Sequence, residues 1–418
     1  VRSGRRTFLR RLGGGVAAAL AAAGHAAIAR PVQSLSGTPE WDDVREQFSL
    51  TRDRVYLNNG TIGPSPTPVQ EAVRRSMEDL DRRGEYDGWE TARPKIAAFV
   101  HAAESEIALT HNTTEGINIV ASGLPLKRGD EVIVTTHEHA GNALPWLNRM
   151  RRDGIVLKVF TPARTAADNL TRISDLLSPR TRVIAVPHIT CTTGTVLPVR
   201  DIARLGRDRG VWVAIDGAHG PGMMPLDLAS IGCDFYAACG HKWMCAPRGT
   251  GFLYVRADAL EALQPVWIGA YSDTGWDLAA DPPQLTGYVP TAHRFDFGTQ
   301  SAPQSAGLAA AVDFLERIGM ERIWRQDRAL AGHLQAELAA LGDRVEMLTP
   351  VEDASRAAMV GFRLRKLAYD AFGAHAAKRK FRIRLVPEGG LNAIRISTHL
   401  YNSIDEVNSF VEAVNEVA

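Results

Sequence analysis

Cysteine is scarce in this chain: there are four in 418 residues. A disulfide-stapled scaffold is thereby excluded, because such scaffolds concentrate several paired cysteines in a short chain. An excess of charge of one sign is also absent, with 48 Lys and Arg against 47 Asp and Glu. A balanced chain carries no electrostatic footprint for nucleic acid or an acidic membrane surface, so a small ligand is expected and no nucleic acid. Long apolar runs are missing too. The Ala/Gly-rich run from Leu12 to Gly24 falls short of the roughly 20 residues that span a bilayer, so no stable membrane span is expected. No internal repeat is visible.

What is present is a chain with 45% hydrophobic residues, enough for a large core and for two domains. The opening stretch "GRRTFLRRLGGGVAAALAAAGHAAIAR" has paired arginines, then Phe8 and Leu9, an apolar run, and small residues ending Ala27-Ile28-Ala29. That is the layout of a twin-arginine signal peptide over residues 1–29, cut after Ala29. It implies export to the periplasm or beyond by a route that carries folded proteins. Residues 30–54 read as a Pro/Ser/Gly-rich linker and an N-terminal arm.

Farther on, short apolar strands alternate with amphipathic helices. Strand candidates are "EIALT" (106–110), "DEVIVTT" (130–136), "IVLKVF" (155–160), "RVIAVPHI" (182–189), "VWVAID" (211–216) and "GFLYV" (251–255). Runs that are apolar on both faces predict central strands of a mostly parallel sheet covered by helices, hence an α/β fold. "RDIARLGRDRG" predicts a helix that stops at Gly210. Beyond residue 300 a long Ala/Leu-rich helical stretch leads to "MVGFRLR", "FRIRLV", "NAIRIST" and a last helix over 403–417, the texture of a smaller α+β domain. The expected division is therefore a large domain over 55–299 and a small one over 300–418. Residues 267–299 read as a long ordered loop of the kind that often serves as a lid.

The chemistry-bearing residues sit at strand ends. Asp216 closes "VWVAID", and ligands in open parallel sheets bind beyond the carboxyl ends of strands. A helix N-cap is the competing reading of a strand-end aspartate. Lys242 follows 26 residues later in "GHKW", after the strand-like "CDFYAAC". A deprotonated lysine forms a Schiff base, and an aspartate keeps a pyridinium nitrogen protonated; these are the two demands of pyridoxal 5'-phosphate. In "EIALTHNTTEGINIV" a strand runs into a helix opening at Thr113-Thr114, with Asn112 and Glu115 at capping-box spacing, which is a phosphate cradle. His139 in "TTHEHAGN" is a candidate to stack on a ring.

The segments "DGAHG", "GHKW" and "GTGF", in this order, resemble the core of the class V aminotransferases of pyridoxal-phosphate fold type I, and within them the isopenicillin N epimerase-like branch. The likeness runs from "VYLNNGTIGPSP" to "AIRISTHLYNSIDEV". It implies a seven-stranded-type, mostly parallel sheet with a smaller C-terminal α+β domain, and a homodimer with shared active sites acting on an amino acid. It implies further that Lys242 binds the cofactor covalently, Asp216 meets the pyridine nitrogen, His219 approaches the phenolic oxygen and His139 stacks on the ring. Thr113, Thr114 and His241 would hold the phosphate, Thr299 would reach it from the other subunit, and Arg395 would take a substrate carboxylate. Cys239 and Cys191 depart from the family, standing where Ser, or Ser or Asn, is usual. No cysteine follows Cys245, so the reactive loop cysteine of the related cysteine desulfurases has no counterpart.

Aminotransferase or epimerase chemistry at the α-carbon is the leading expectation, and a C–S or β-elimination lyase is the alternative. Epimerisation needs a second acid, for which Tyr271 and Tyr288 are candidates, with lid packing as their other reading. A Cys/His metal site built from Cys233, Cys239, His241 and Cys245 is a third reading. Its spacings match no common zinc pattern, and no metal is expected.

Overall fold

The computed structural model describes residues 40–418. The twin-arginine stretch over 1–29 and the linker residues up to 39 lie outside the described residues. Among the described residues, no helix is long and apolar enough to cross a membrane.

Seven strands form the main sheet: β1 (Ile107–Thr110), β2 (Glu131–Thr135), β3 (Val156–Phe160), β4 (Thr181–Pro187), β5 (Trp212–Asp216), β6 (Phe235–Cys239) and β7 (Gly251–Val255). Their order is β1-β7-β6-β5-β4-β2-β3. All neighbours are parallel except at β7, which is antiparallel to both β6 and β1. The β-branched runs explain the centre: Val183, Ile184, Val186, Val213 and Ile215 are essentially inaccessible to solvent. Each such side chain contributes about 1.5–3 kcal/mol by leaving water. The expectation that every run is covered on both faces fails at β3. It is an edge strand, and Val156 and Val159 remain 39% and 52% exposed.

Helices α1 (Thr67–Arg83), α2 (Thr113–Gly123), α3 (Ala140–Asp153) and α4 (Val199–Arg209) belong to this part. Gly210 ends α4 in the left-handed conformation, as its sequence predicts. Gly116 of α2 rests on Ala237 of β6 so closely that an added Cβ would stand 2.8 Å from the alanine methyl. This close approach brings the N-terminus of α2 to the sheet's carboxyl edge.

The long helical stretch is two helices, α5 (Ala302–Ile318) and α6 (Met320–Ala340), because Gly319 turns the chain at φ 92°. The apolar face of α5 joins the core of the large sheet, whereas α6 from Leu330 onward joins a separate core. That second core lies under β8 (Val345–Met347), β9 (Met359–Leu364), β10 (Arg384–Val386) and β11 (Ala393–Ser397), an antiparallel sheet ordered β8-β9-β11-β10. The last helix, α7 (Ile404–Asn415), packs on it. The run "FRIRLV" is interrupted: Phe381–Arg382 pairs with Val55–Tyr56, and only Arg384–Val386 joins the small sheet. Residues 267–299 contain a short hairpin, Trp276–Asp277 with Gln284–Leu285. The loop's end is tied down by Asp296, whose carboxylate accepts from Arg93 at 2.6 Å and from the Leu109 N–H at 2.8 Å.

Candidate active site

The carboxyl ends of β5 and β6, the N-termini of α2 and α3, and residues 60–61, 384 and 395 enclose one cavity. Eight of the nine residues singled out in the sequence line it: Thr113, Thr114, His139, Asp216, His219, His241, Lys242 and Arg395. Thr299 does not. It is exposed in the segment that leads into α5.

Asp216 ends β5 at the floor, 5% exposed, where Oδ1 accepts the Ala218 N–H at 3.0 Å. No helix follows directly, so the N-cap reading does not apply at this position. Lys242 lies in the loop between β6 and β7, 9% exposed, with Nζ 3.4 Å from His219 Nε2. His219 Nδ1 accepts the Trp243 indole N–H at 3.0 Å. Burial first, and then the Lys242 charge, hold His219 well below the ordinary histidine range. His241 is pushed down to about 4 by burial and by Lys242, and His139 is lowered by burial and by Lys242. The cavity therefore presents three neutral imidazoles around one amine.

His139 is the N-cap of α3, with Nδ1 accepting the Gly141 N–H at 3.0 Å. Gly141 has a steric reason: an added Cβ would stand 2.4 Å from Thr114 Oγ1 and 3.1 Å from His139 Nδ1. At α2, Asn112 Oδ1 accepts the Glu115 N–H at 3.0 Å, one half of the expected capping box. The other half differs: the Glu115 carboxylate accepts the His111 N–H at 2.6 Å instead of the N-cap amide. The first amides of α2 stay free for an anion.

Arg395 on β11 is 1% exposed. Nη1 donates to the Cys191 carbonyl at 2.5 Å and Nη2 to Thr61 Oγ1 at 3.0 Å, while Nε has no partner. Burial, and then the neighbouring Arg384 charge, push its pKa down to about 10. Sequence reasoning missed Arg384. It stands directly opposite Arg395 in the β10–β11 register, lines the same cavity and forms an ion pair with Glu388. Like charges directly opposite on paired strands are destabilising, so this pair has a stability cost that an anionic ligand would offset. Also missed was Glu138. Its carboxyl accepts from the Thr135 amide (3.0 Å), the Thr135 hydroxyl (2.8 Å) and Asn142 Nδ2 (2.7 Å), tying β2 to α3 beside His139. Desolvation of that carboxyl pushes its pKa up to about 8, although the residue as a whole is only partly buried.

The donor set fits pyridoxal phosphate. Thr113 Oγ1 and His241 Nδ1 are buried with no hydrogen-bond partner, and both belong to the cradle that α2 and the lysine loop form. A carboxylate for a ring nitrogen, an amine for a carbonyl carbon and an unmatched guanidinium share the cavity. Burial keeps the thiols of Cys191, at about 11, and Cys239 protonated, so they act there as small neutral walls. Cys233 lies in the hydrophobic core, away from the cavity. Among the described residues, no group of three or more His, Cys, Asp or Glu side chains is placed to share a metal ion.

Fold and donor set together define a pyridoxal-phosphate-dependent enzyme of fold type I. The family model for aminotransferase class-V matches residues 68–410, and the chain belongs to that family. A probable cysteine desulfurase of Methanothermobacter thermautotrophicus is 32% identical over 401 residues, which cover 90% of this chain and 98% of that protein. The isopenicillin N epimerase of Amycolatopsis lactamdurans is 31% identical over 397 residues, again 90% of this chain and 98% of the other. Among solved structures, a lysine-to-alanine variant of the cystine C–S lyase C-DES, with glycine covalently linked to its PLP cofactor, superimposes with a TM-score of 0.82. It is 28% identical, and the match covers 91% of this chain and 100% of that one.

Proposed function

We propose that this protein removes and returns the α-proton of an amino acid, in a course ending in amino-group transfer or in inversion at the α-carbon. The carrying observation is that one cavity holds both the Lys242 amine and the Arg395 guanidinium. Among the described residues, Arg395 has protein oxygens from Cys191 and Thr61 as its only hydrogen-bond partners, and no carboxylate. A guanidinium left in that state is suited to both oxygens of a substrate carboxylate.

Bound pyridoxal phosphate supplies the electron sink for negative charge at the α-carbon. Lys242 would be its covalent attachment point and would serve as general base toward the α-proton. Asp216 would hold a proton at the pyridine nitrogen, and neutral His219 would offer its Nε2–H to the phenolic oxygen. Thr113, Thr114 and His241 would hold the phosphate, and His139 would cover the ring. Thr299, outside the cavity of its own chain, serves the phosphate of a second copy in a homodimer. Tyr271 and Tyr288 do not line the cavity. With Lys242 as the base and neither tyrosine in the cavity to supply the second acid that inversion needs, amino-group transfer is favoured over inversion.

A second reading is β-elimination with C–S cleavage, favoured by the likeness to C-DES and to cysteine desulfurases. Transfer of sulfur to a loop cysteine is not part of it, because no cysteine follows Cys245. The test is a panel of L- and D-amino acids, cystine included, in deuterated water with and without a keto acid acceptor. Deuterium at the α-carbon with amino transfer or inversion is the expected result. Pyruvate and persulfide from cystine alone would support the second reading, and exchange without transfer or inversion would sink the first.

A further inference from the structure

Three successive carbonyls of the lysine loop are each held by a different donor. The Gly63 N–H donates to His241 O at 2.7 Å, the Cys245 N–H to Lys242 O at 3.2 Å, and His399 Nε2–H to Trp243 O at 2.9 Å. The third donor differs in kind. It is a side chain that follows β11, and it is completely buried. Its other nitrogen, Nδ1, meets Asp327 Oδ2 of α6 at 2.8 Å, and Asp327 is completely buried too. A carbonyl oxygen only accepts, so Nε2 carries a proton in every charge state of this pair. Burial alone would strip the second proton, but the Asp327 carboxylate outweighs it and pushes His399 up to about 10.

Trp243 passes this constraint on. Its indole N–H only donates, so His219 Nδ1 must accept, and neutral His219 then keeps its proton on Nε2, the atom 3.4 Å from Lys242 Nζ. On another side, Gly222 leaves the Trp243 carbonyl no slack: an added Cβ there would stand 2.4 Å from Trp243 C and O. The Trp243 ring meets the His399 ring edge-on at 5.1 Å. A buried ion pair is a weak contributor to net stability, and what this one adds is direction.

We infer that Asp327 and His399 are positioning residues that, through Trp243, fix the seat of Lys242 and the tautomer and aim of His219. The inference rests on Lys242 as the cofactor's attachment point, a role that has its own separate check. In Lys242→Ala protein, a visible band that persists and resists borohydride would sink that role. The His219 tautomer, read without cofactor, tests the positioning by itself.

The experiment titrates the visible band of cofactor-loaded protein with pH and follows borohydride-trappable attachment to Lys242. Wild type, His399→Ala, His399→Gln and Trp243→Phe are compared. Asp296→Asn serves as the control, since it disturbs the buried Arg93–Asp296 pair. His399→Ala is expected to move the band's midpoint by about one pH unit, tenfold in the equilibrium, and to slow attachment about tenfold. His399→Gln, which keeps an N–H for Trp243 O, restores most of both. Asp296→Asn lowers Tm and leaves the midpoint in place. Nitrogen-15 NMR of histidine-labelled, cofactor-free protein reads His219 as the Nε2–H form, and Trp243→Phe removes that preference. A wild-type midpoint and rate in His399→Ala would overturn the inference. Should His399→Ala not fold, an unchanged His219 tautomer and midpoint in Trp243→Phe would overturn it equally.

Discussion

Arg395 offers the sharpest test of substrate recognition. A guanidinium has five N–H donors; one goes to the Cys191 carbonyl and one to Thr61, so three remain for a ligand, Nε–H among them. A carboxylate bound in the plane of the group takes two. Arg395→Lys keeps a positive charge but cannot present two parallel donors while also serving the protein oxygens, so about one charge-assisted hydrogen bond is lost. Such a bond is worth about 1.5–3 kcal/mol, roughly ten- to hundredfold in kcat/KM. The assay compares an amino acid with the corresponding amine that lacks the carboxyl group, in wild type and variant. The penalty should appear for the amino acid and vanish for the amine. Equal losses for both would refute the assignment, because they would mean that the substitution damaged the lysine loop or the fold.

Other expectations are as direct. Lys242→Ala should abolish the visible absorption band of the loaded protein, read by spectrophotometry before and after borohydride. Gly63→Ala should displace the lysine loop, because its Cβ would stand 2.0 Å from Lys242 O; cofactor retention after gel filtration should drop, and unchanged retention would show that the loop can yield. Glu138 has a folded pKa raised to about 8 from an ordinary 4.5. Its contribution to stability is therefore full below 4.5 and is lost as pH rises through 8. Glu138→Gln should flatten that loss, so that the variant's melting temperature gains on that of wild type between pH 4.5 and 8 and keeps a constant lead above 8.

Much of the sheet was legible because β-branched runs bounded by glycine leave few alternatives to buried parallel strands. Lys242 and Asp216 were legible because strand ends are where such a sheet exposes chemistry. What escaped has physical reasons. The edge position of β3 is a matter of strand order, which periodicity does not encode. The break between α5 and α6 depends on a single glycine inside an otherwise helical pattern. Arg384 faces Arg395 only through the register of β10 on β11, and "FRIRLV" reads as one uninterrupted strand. Asp327, His399 and Trp243 lie far apart in the chain, and each looks ordinary in its own segment. Glu138 lies between two histidines in a short polar segment, and only the turn from β2 into α3 brings it to its partners, the Thr135 amide and hydroxyl and the Asn142 amide.

The one antiparallel strand of the main sheet has a kinetic consequence. The loop bearing Lys242 joins β6 to β7, and β7 is held on its far side by β1, with Ile107 paired to Tyr254 and Thr110 to Gly251. Contacts between such distant residues require closing a long loop, and their entropic cost delays them relative to local pairings. The lysine loop thus has its β7 anchor fixed from the far side only late in folding. Covalent capture of the coenzyme, visible as colour, should serve as a clock for completion of the sheet, lagging the rise of helical signal when the denatured chain is diluted into buffer containing pyridoxal phosphate.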